Sequence, residues 1–353
     1  MQVYIHIPFC ESKCPYCAFG SVEGANESLK KAYFDALATD LNSNLKQILA
    51  GREISSVFIG GGTPSAVRAR LYEPIFAALS SNLKPDAEIT SEANPNSASF
   101  EWLSTMRKFG VNRVSFGAQS FDEKKLRFLG RIHGTREIYE AVANARNTGF
   151  ENINVDLIYG TRLDNKKLLA KELENISNLN IPHVSAYSLT IEAGTPFARG
   201  SNLKKDGARL AKFLFDGLSN LNYSQYEISN FARENGECRH NLGYWAGAEY
   251  AGFGAFSVGF VGDARYYASS NLKDYIAAPS KRETERLTDE DMCLERVFLG
   301  LRSRLGVDIS NLKSAETSEK IEILRRAGKI EVKNGRIYNK NFLLADEIAL
   351  FLT

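Results

Sequence analysis

Apolar residues change period repeatedly along the first two-thirds of the chain. Val3 to Ile7 is a short apolar run. Leu29, Tyr33, Leu37, Leu41, Leu45 and Ile48 then recur at spacings of three or four, the period of a helix with one buried face. Ser56 to Ile59 is again strand-like and ends in three glycines. The exchange continues: helix over 68–80, strand over 88–91, helix over 100–108, strand over 112–116, and helices near 122–129 and 136–148. Strand over 152–158, helix over 166–178, strand over 184–189, helix over 205–220 and a last strand over 223–227 complete it. Strands alternating with helices at short spacing predict βαβ units and a parallel sheet. Six or seven such units suit a (β/α) barrel, complete or partial, better than a small open sheet. In such barrels the chemistry gathers at the C-terminal ends of the strands.

The rhythm breaks after about residue 230. Residues 238–267 are rich in glycine and aromatics, and Pro279 to Arg286 is a charged stretch that reads as a linker. Helices are expected near 288–301 and 317–327. A hairpin follows over 329–338, its turn at Asn334-Gly335, and a final apolar segment runs from Phe342 to Leu352. The expected fold is therefore α/β: a partial (β/α) TIM-like barrel over 1–230, a Gly/aromatic segment over 231–280 that closes it, and a small winged-helix-like α+β domain over 281–353.

Composition narrows the function classes. Hydrophobic residues are 44% of 353 and charged residues 24%, ordinary for a soluble globular chain. The formal net charge of +2 makes no case for a nucleic-acid partner or an anionic membrane. No apolar run approaches the roughly 20 residues of a membrane span. The N-terminus lacks the basic flank and cleavage site of a signal peptide, so the expected location is cytoplasmic.

Five cysteines are present, and Cys10, Cys14 and Cys17 fall on one loop just after the first strand, far from Cys238 and Cys293. An odd, clustered set speaks for metal or catalysis rather than a disulfide framework. A compact loop can wrap a [4Fe–4S] cube, and three thiolates leave one iron open. That iron can be chelated by the amino and carboxylate groups of S-adenosylmethionine, and an electron passed to the sulfonium would then release a 5′-deoxyadenosyl radical. The competing reading is zinc, completed by a distant cysteine or histidine, or a redox thiol pair.

Other candidates sit at predicted strand ends. Gly60-Gly61-Gly62-Thr63-Pro64 could let backbone approach a ligand, or be a tight turn; it is not a Walker A loop. Glu92, before Ala93-Asn94-Pro95, could hold an ammonium or ribose, or be a turn acid. Gln119 ends the fourth strand and Arg131 lies in Leu-Gly-Arg-Ile-His. Asp156 is an acid inside Val-Asp-Leu-Ile, where an unpaired carboxylate is costly, so it needs a partner or a ligand hydroxyl. His6 reads as a packed histidine supporting the cysteine loop rather than a ligand.

Together these residues carry a resemblance. Tyr4-Ile-His-Ile-Pro-Phe-Cys10, Gly60-Gly-Gly-Thr-Pro-Ser65, Glu92-Ala-Asn-Pro95, Asp156-Leu-Ile-Tyr-Gly160 and Glu192-Ala-Gly-Thr-Pro196 resemble the oxygen-independent coproporphyrinogen III oxidase-like branch of radical-SAM proteins, over residues 3–305. The aromatic Tyr16 before the last cysteine fits as well. That branch holds an oxidative decarboxylase of haem synthesis and a haem chaperone that delivers haem to acceptor proteins such as respiratory enzymes. Three features favour the chaperone. Phe19 stands where the oxidase pattern has a fourth cysteine, the oxidase's segment before the cysteine loop is missing, and His240-Asn-Leu-Gly-Tyr-Trp245 resembles a chaperone motif.

The resemblance implies a [4Fe–4S] cluster on Cys10, Cys14 and Cys17, S-adenosylmethionine, and haem. The S-adenosylmethionine contacts it implies are Tyr4, Tyr16, Gly61, Gly62, Thr63, Glu92, Gln119, Arg131 and Asp156, with Thr190 a further member. His240 could ligate haem iron or contact a propionate while Tyr244 and Trp245 pack on the macrocycle; alternatively His240 and Asn241 cap a turn and the aromatics close the barrel mouth. An electron donor such as flavodoxin or ferredoxin is expected. The rival function is coproporphyrinogen III dehydrogenase.

Overall fold

The computed structural model describes residues 1–205, 207–312 and 316–353. Six parallel strands form its centre: β1 (Gln2–Ile7), β2 (Ile54–Gly61), β3 (Leu83–Ala93), β4 (Arg113–Gln119), β5 (Asn152–Tyr159) and β6 (His183–Ser188). Six more extend the sheet: β7 (Ser224–Gln225), β8 (Asn230–Ala232), β9 (Tyr250–Phe253), β10 (Val258–Val261), β11 (Ala264–Ala268) and β12 (Arg282–Arg286). The spatial order is β12-β11-β10-β9-β1-β2-β3-β4-β5-β6-β8-β7. The sheet keeps two edges, as a partial barrel does.

The parallel strands form because their sequences can be buried on both faces. Val3, Ile5 and Ile7 of β1 have no exposed surface, and Ile5 pairs with Ile59 of β2. The first crossover helix, Glu27–Leu49, starts where Asn26 Oδ1 accepts from Leu29 N at 2.9 Å and stops at Ala50 in a left-handed conformation. It lays Tyr33, Leu37, Leu41 and Leu45 on the sheet. Helices over 100–108, 135–147 and 166–179 repeat this arrangement.

Two expectations change. The charged stretch expected to link the domains is the edge strand β12, paired with β11 from Ala264↔Arg286 to Ala268↔Arg282. Arg282 is anchored to the fully buried Asp40 at 2.6 Å, and Asp40 also accepts from the Tyr275 hydroxyl at 2.7 Å. An alternation of Arg, Glu and Thr is what keeps an open sheet edge from pairing with another chain, and locally it resembles a linker. The strand expected over 223–227 shrinks to two antiparallel residues. Tyr223 and Tyr226 turn inward instead and bond Ile181 O and His183 Nε2, each at 2.7 Å.

The C-terminal unit has its own apolar cluster, including Val297, Leu301, Ile337, Ile348 and Leu352. Helices Asp289–Gly300, Thr317–Arg326 and Ala345–Leu352 surround a three-stranded sheet, Val307–Asp308, Arg336–Asn339 and Ile330–Lys333. The hairpin turns at Asn334 and Gly335, both with positive φ, as a two-residue I′ turn requires.

Candidate functional site

The cysteine loop leaves β1 and is pinned at several points. Val22 N donates to Pro8 O at 2.6 Å, and Cys17 N to Cys14 O at 3.1 Å. His6 sits beneath, its ring nitrogens 3.0 Å from the Tyr4 hydroxyl and 2.7 Å from Gly20 O. It is the packed support that was expected. Gly61 closes against it: a Cβ there would lie 2.6 Å from the His6 ring, and φ is +109°. No larger residue fits.

Cys10, Cys14 and Cys17 line one cavity with Tyr16, Gly61, Gly62, Thr63, Glu92, Gln119, Arg131 and Asp156. All of these stand at or beyond the C-terminal ends of β1 to β5, save Asp156 inside β5. The cavity runs into a larger one of about 540 Å³, which shares Tyr16, Cys17, Glu92, Gln119 and Asp156 and adds Thr190. Two predicted residues stay outside both linings. Tyr4 lies below, bonded to His6 and stacked on Phe58.

His240 is the other. It has no exposed surface, and its ring nitrogens lie 2.9 Å from Ser56 Oγ and 3.0 Å from the Tyr244 hydroxyl. Its amide donates to Glu88 Oε1 at 3.0 Å, and burial lowers its pKa to about 3. Both ring nitrogens are bonded inside the core, and neither faces the two mouth cavities. Its neighbour Asn241 lines the larger cavity instead.

Each polar group in the cluster-side cavity has a local reason for its position. Gln119 takes φ +67° where the β4–β5 register slips between Phe116 and Gln119, an irregularity that re-aims a strand's last side chain. Arg131 donates to Cys14 Sγ at 3.2 Å and to Gly117 O at 2.8 Å, so a cation stands beside the thiols. The Asp156 carboxylate accepts from Asn154 Nδ2 at 2.7 Å and lies 3.4 Å from Ser115 Oγ. It has the partners its burial demands and still faces the cavity. Glu92 accepts from Gly61 N at 3.2 Å; burial, then the charge of Asp156, pushes it up to about 8. Gly62 N and Thr63 N donate to Ile7 O and Phe9 O at 2.8 and 2.7 Å. The glycine run therefore seals the loop against β1 and offers no free amides at these positions.

The donor set fits an iron–sulfur cube. Among the described residues no three His, Cys, Asp or Glu converge on a single ion. A cube takes thiolates on separate iron corners around a shared volume, and three thiols on one cavity wall can serve three of its four irons. Burial pushes the Cys10 and Cys17 thiols up. Such thiols become anions when a metal supplies the charge, and Arg131 offsets part of the negative charge that follows.

Sequence reasoning missed Arg113, Ser115, Asn154, Ser185 and Tyr187, which line the larger cavity. A signal was present: Arg113, Ser115, Gly117 and Gln119 alternate along β4, and Asn154 and Asp156 along β5. Polar residues at period two in parallel strands mark a face turned to a polar interior rather than to helices.

Known proteins share this chain's sequence pattern and fold. The Radical SAM superfamily pattern matches residues 4–199. The heme chaperone HemW of Bacillus subtilis (strain 168) is 33% identical over 324 residues, covering 87% of this chain and 84% of the relative. That of Escherichia coli (strain K12) is 37% identical over 266 residues, 74% of this chain and 70% of the relative. The solved coproporphyrinogen III oxidase (HemN) of Escherichia coli, a radical SAM enzyme, superposes with a TM-score of 0.84 at 24% identity, over 100% of this chain and 90% of that one. That likeness speaks for the fold. Among the described residues no helix is long and apolar enough to cross a membrane. On the family match and these relatives, the chain belongs to the radical SAM superfamily, whose cofactors are a [4Fe–4S] cluster and S-adenosylmethionine, and within it to the HemW family.

Proposed function

We propose that this protein is a radical-SAM-type haem chaperone that binds haem and delivers it to acceptor haem proteins. The observation that carries its cofactor chemistry is the convergence of three thiols, Arg131, Glu92, Gln119 and Asp156 on one cavity at the strand ends. Cys10, Cys14 and Cys17 would hold the cluster, and Arg131 would balance its charge. Glu92 and Asp156 would take S-adenosylmethionine's cationic and hydroxyl groups, Tyr16 would pack beside it, and Thr190 would border the far side. Tyr4 would act through His6. When bound, the cluster supplies one electron to the sulfonium. The proposed division is a barrel over 1–230, a closing segment over 231–280 and a C-terminal domain over 281–353, with β12 reaching back into the sheet. Flavodoxin or ferredoxin is the proposed electron donor, and the cytoplasm the proposed location.

The haem role rests on the relatives named heme chaperone, and on Phe19, 68% exposed where the oxidase pattern has a cysteine. The test is anaerobic reconstitution, then haem titration and transfer to an apo-haem protein, beside incubation of the reduced protein with coproporphyrinogen III. Stable haem uptake followed by transfer is expected. Robust formation of protoporphyrinogen would replace this reading with coproporphyrinogen III dehydrogenase, and haem-dependent linear tetrapyrrole with a haem-opening enzyme.

A further inference from the structure

A second cavity, of about 400 Å³, lies between helix Asp289–Gly300 and the Gly/aromatic segment. That volume is within the range of small-molecule sites, about 300–1,000 Å³. Its walls are apolar: Phe260 on β10, and Met292, Phe298 and Leu299 on the helix. Its charged lining differs from that of the barrel mouth. The larger mouth cavity is lined by Glu92, Asp156 and Glu192 with Arg113, and the cluster side adds Lys13 and Arg131. The second cavity is lined by Arg265, Arg296 and Arg302 against Glu295 alone.

These arginines differ in how far they are committed. Arg265 is taken up by Glu295, with Nη2 2.6 and 2.7 Å from the two carboxylate oxygens. Arg302 pairs with Asp346, whose side chain is 63% exposed, so water screens that bond. Arg296 has no ion pair among the described residues. Its stem runs past Gly247, with Cγ 3.6 Å from where a Cβ would stand. An apolar slot with one guanidinium unpaired among the described residues, Arg296, and a solvent-screened one, Arg302, on its rim suits a flat apolar molecule that carries carboxylates on one edge.

Resting on the haem-chaperone reading above, we infer that haem docks in this cavity rather than in the barrel mouth, with its macrocycle between Phe260 and Phe298 and its propionates on Arg296 and Arg302. Asp156 and Glu192 in the mouth suit a sulfonium with an ammonium group; the arginine rim suits propionates. Met292 and Tyr250 offer donor types that haem iron accepts. The Tyr244 hydroxyl, in the same wall, is already bonded to His240.

The experiment is a Soret titration of full-length protein with haemin, on wild type, Arg296→Glu, Arg296→Lys and Met292→Trp, with thermal melts and cluster content recorded for each. Loss of the charged contact predicts about ten-fold weaker binding for Arg296→Glu, with Arg296→Lys recovering most of it. Met292→Trp fills the slot and blocks uptake. If wild type takes up haem and all the folded variants match it, the site is wrong while the chaperone reading stands. If wild type itself takes up no haem, the reading fails first.

Discussion

The larger barrel-mouth cavity and the one beside helix Asp289–Gly300, about 540 and 400 Å³, differ in how their polar groups are held. The barrel mouth is walled by strand ends, and strand residues hold its carboxyls: Asp156 by Asn154 of its own strand and Ser115 of β4, Glu92 by Gly61 of β2. The second is walled by a helix and an antiparallel edge, and its Arg296 is exposed and unpaired among the described residues. His240 lies between them, in neither lining. The difference teaches that a chemically capable side chain marks a site only where the fold leaves one of its groups uncommitted. His240 has none left, although its residue type and motif make it the most inviting haem ligand in the chain.

The largest effect expected from breaking this comparison is at the packed groups. Gly61→Ala meets the His6 ring at a positive φ, so unfolding free energy should fall by about 2–4 kcal/mol and iron content with it; a chemical denaturation curve and an iron assay read both. His240→Ala should cost about 2–4 kcal/mol, from the space it leaves and the partners it strands. The molecules that remain folded should still take up haem, and loss of haem with unchanged stability would return His240 to the binding site. Asp156→Asn sharpens the contrast: isothermal titration should give about ten-fold weaker S-adenosylmethionine binding, and an equal loss of haem affinity would mean that one cavity serves both ligands.

Glu92 sets the smallest of these effects, a slope with pH. Its carboxyl is held up at about 8 against an ordinary 4.5, so the folded apoprotein carries a proton that the unfolded chain has lost. Its stabilising contribution is complete below 4.5 and is lost as pH rises through about 8. Glu92→Gln should flatten that limb of the stability–pH curve. His240 acts at the other end. Buried neutral, with its pKa near 3, it contributes stability above the unfolded value near 6.5 that is lost as pH falls. The His240→Ala variant should therefore resist acid more than its neutral-pH stability suggests.

The parallel barrel and the cysteine loop were legible because both are local: strand and helix periods show in short windows, and Cys10, Cys14 and Cys17 share one turn of chain. The mouth was half legible. Asp156 stood out as an acid in an apolar strand, while Arg113, Ser115 and Asn154 did not, since each looks like an ordinary polar residue until the alternation along β4 and β5 is followed. β12 was misread because a charged edge strand and a linker share a composition, and what separates them is Asp40, buried on a helix far away in sequence. His240 carried two readings in the sequence, because its partners are distant along the chain. Ser56 and Glu88, which commit its ring and amide, come from β2 and β3.

The account stands on the three thiols acting together on one cluster. Iron and sulfide analysis of anaerobically purified protein, beside a chain in which Cys10, Cys14 and Cys17 are all serine, tests it most directly. About four irons and four sulfides per chain are expected for wild type, and close to none for the triple variant. Stoichiometric zinc in the wild type, or iron retained without those thiols, would contradict it.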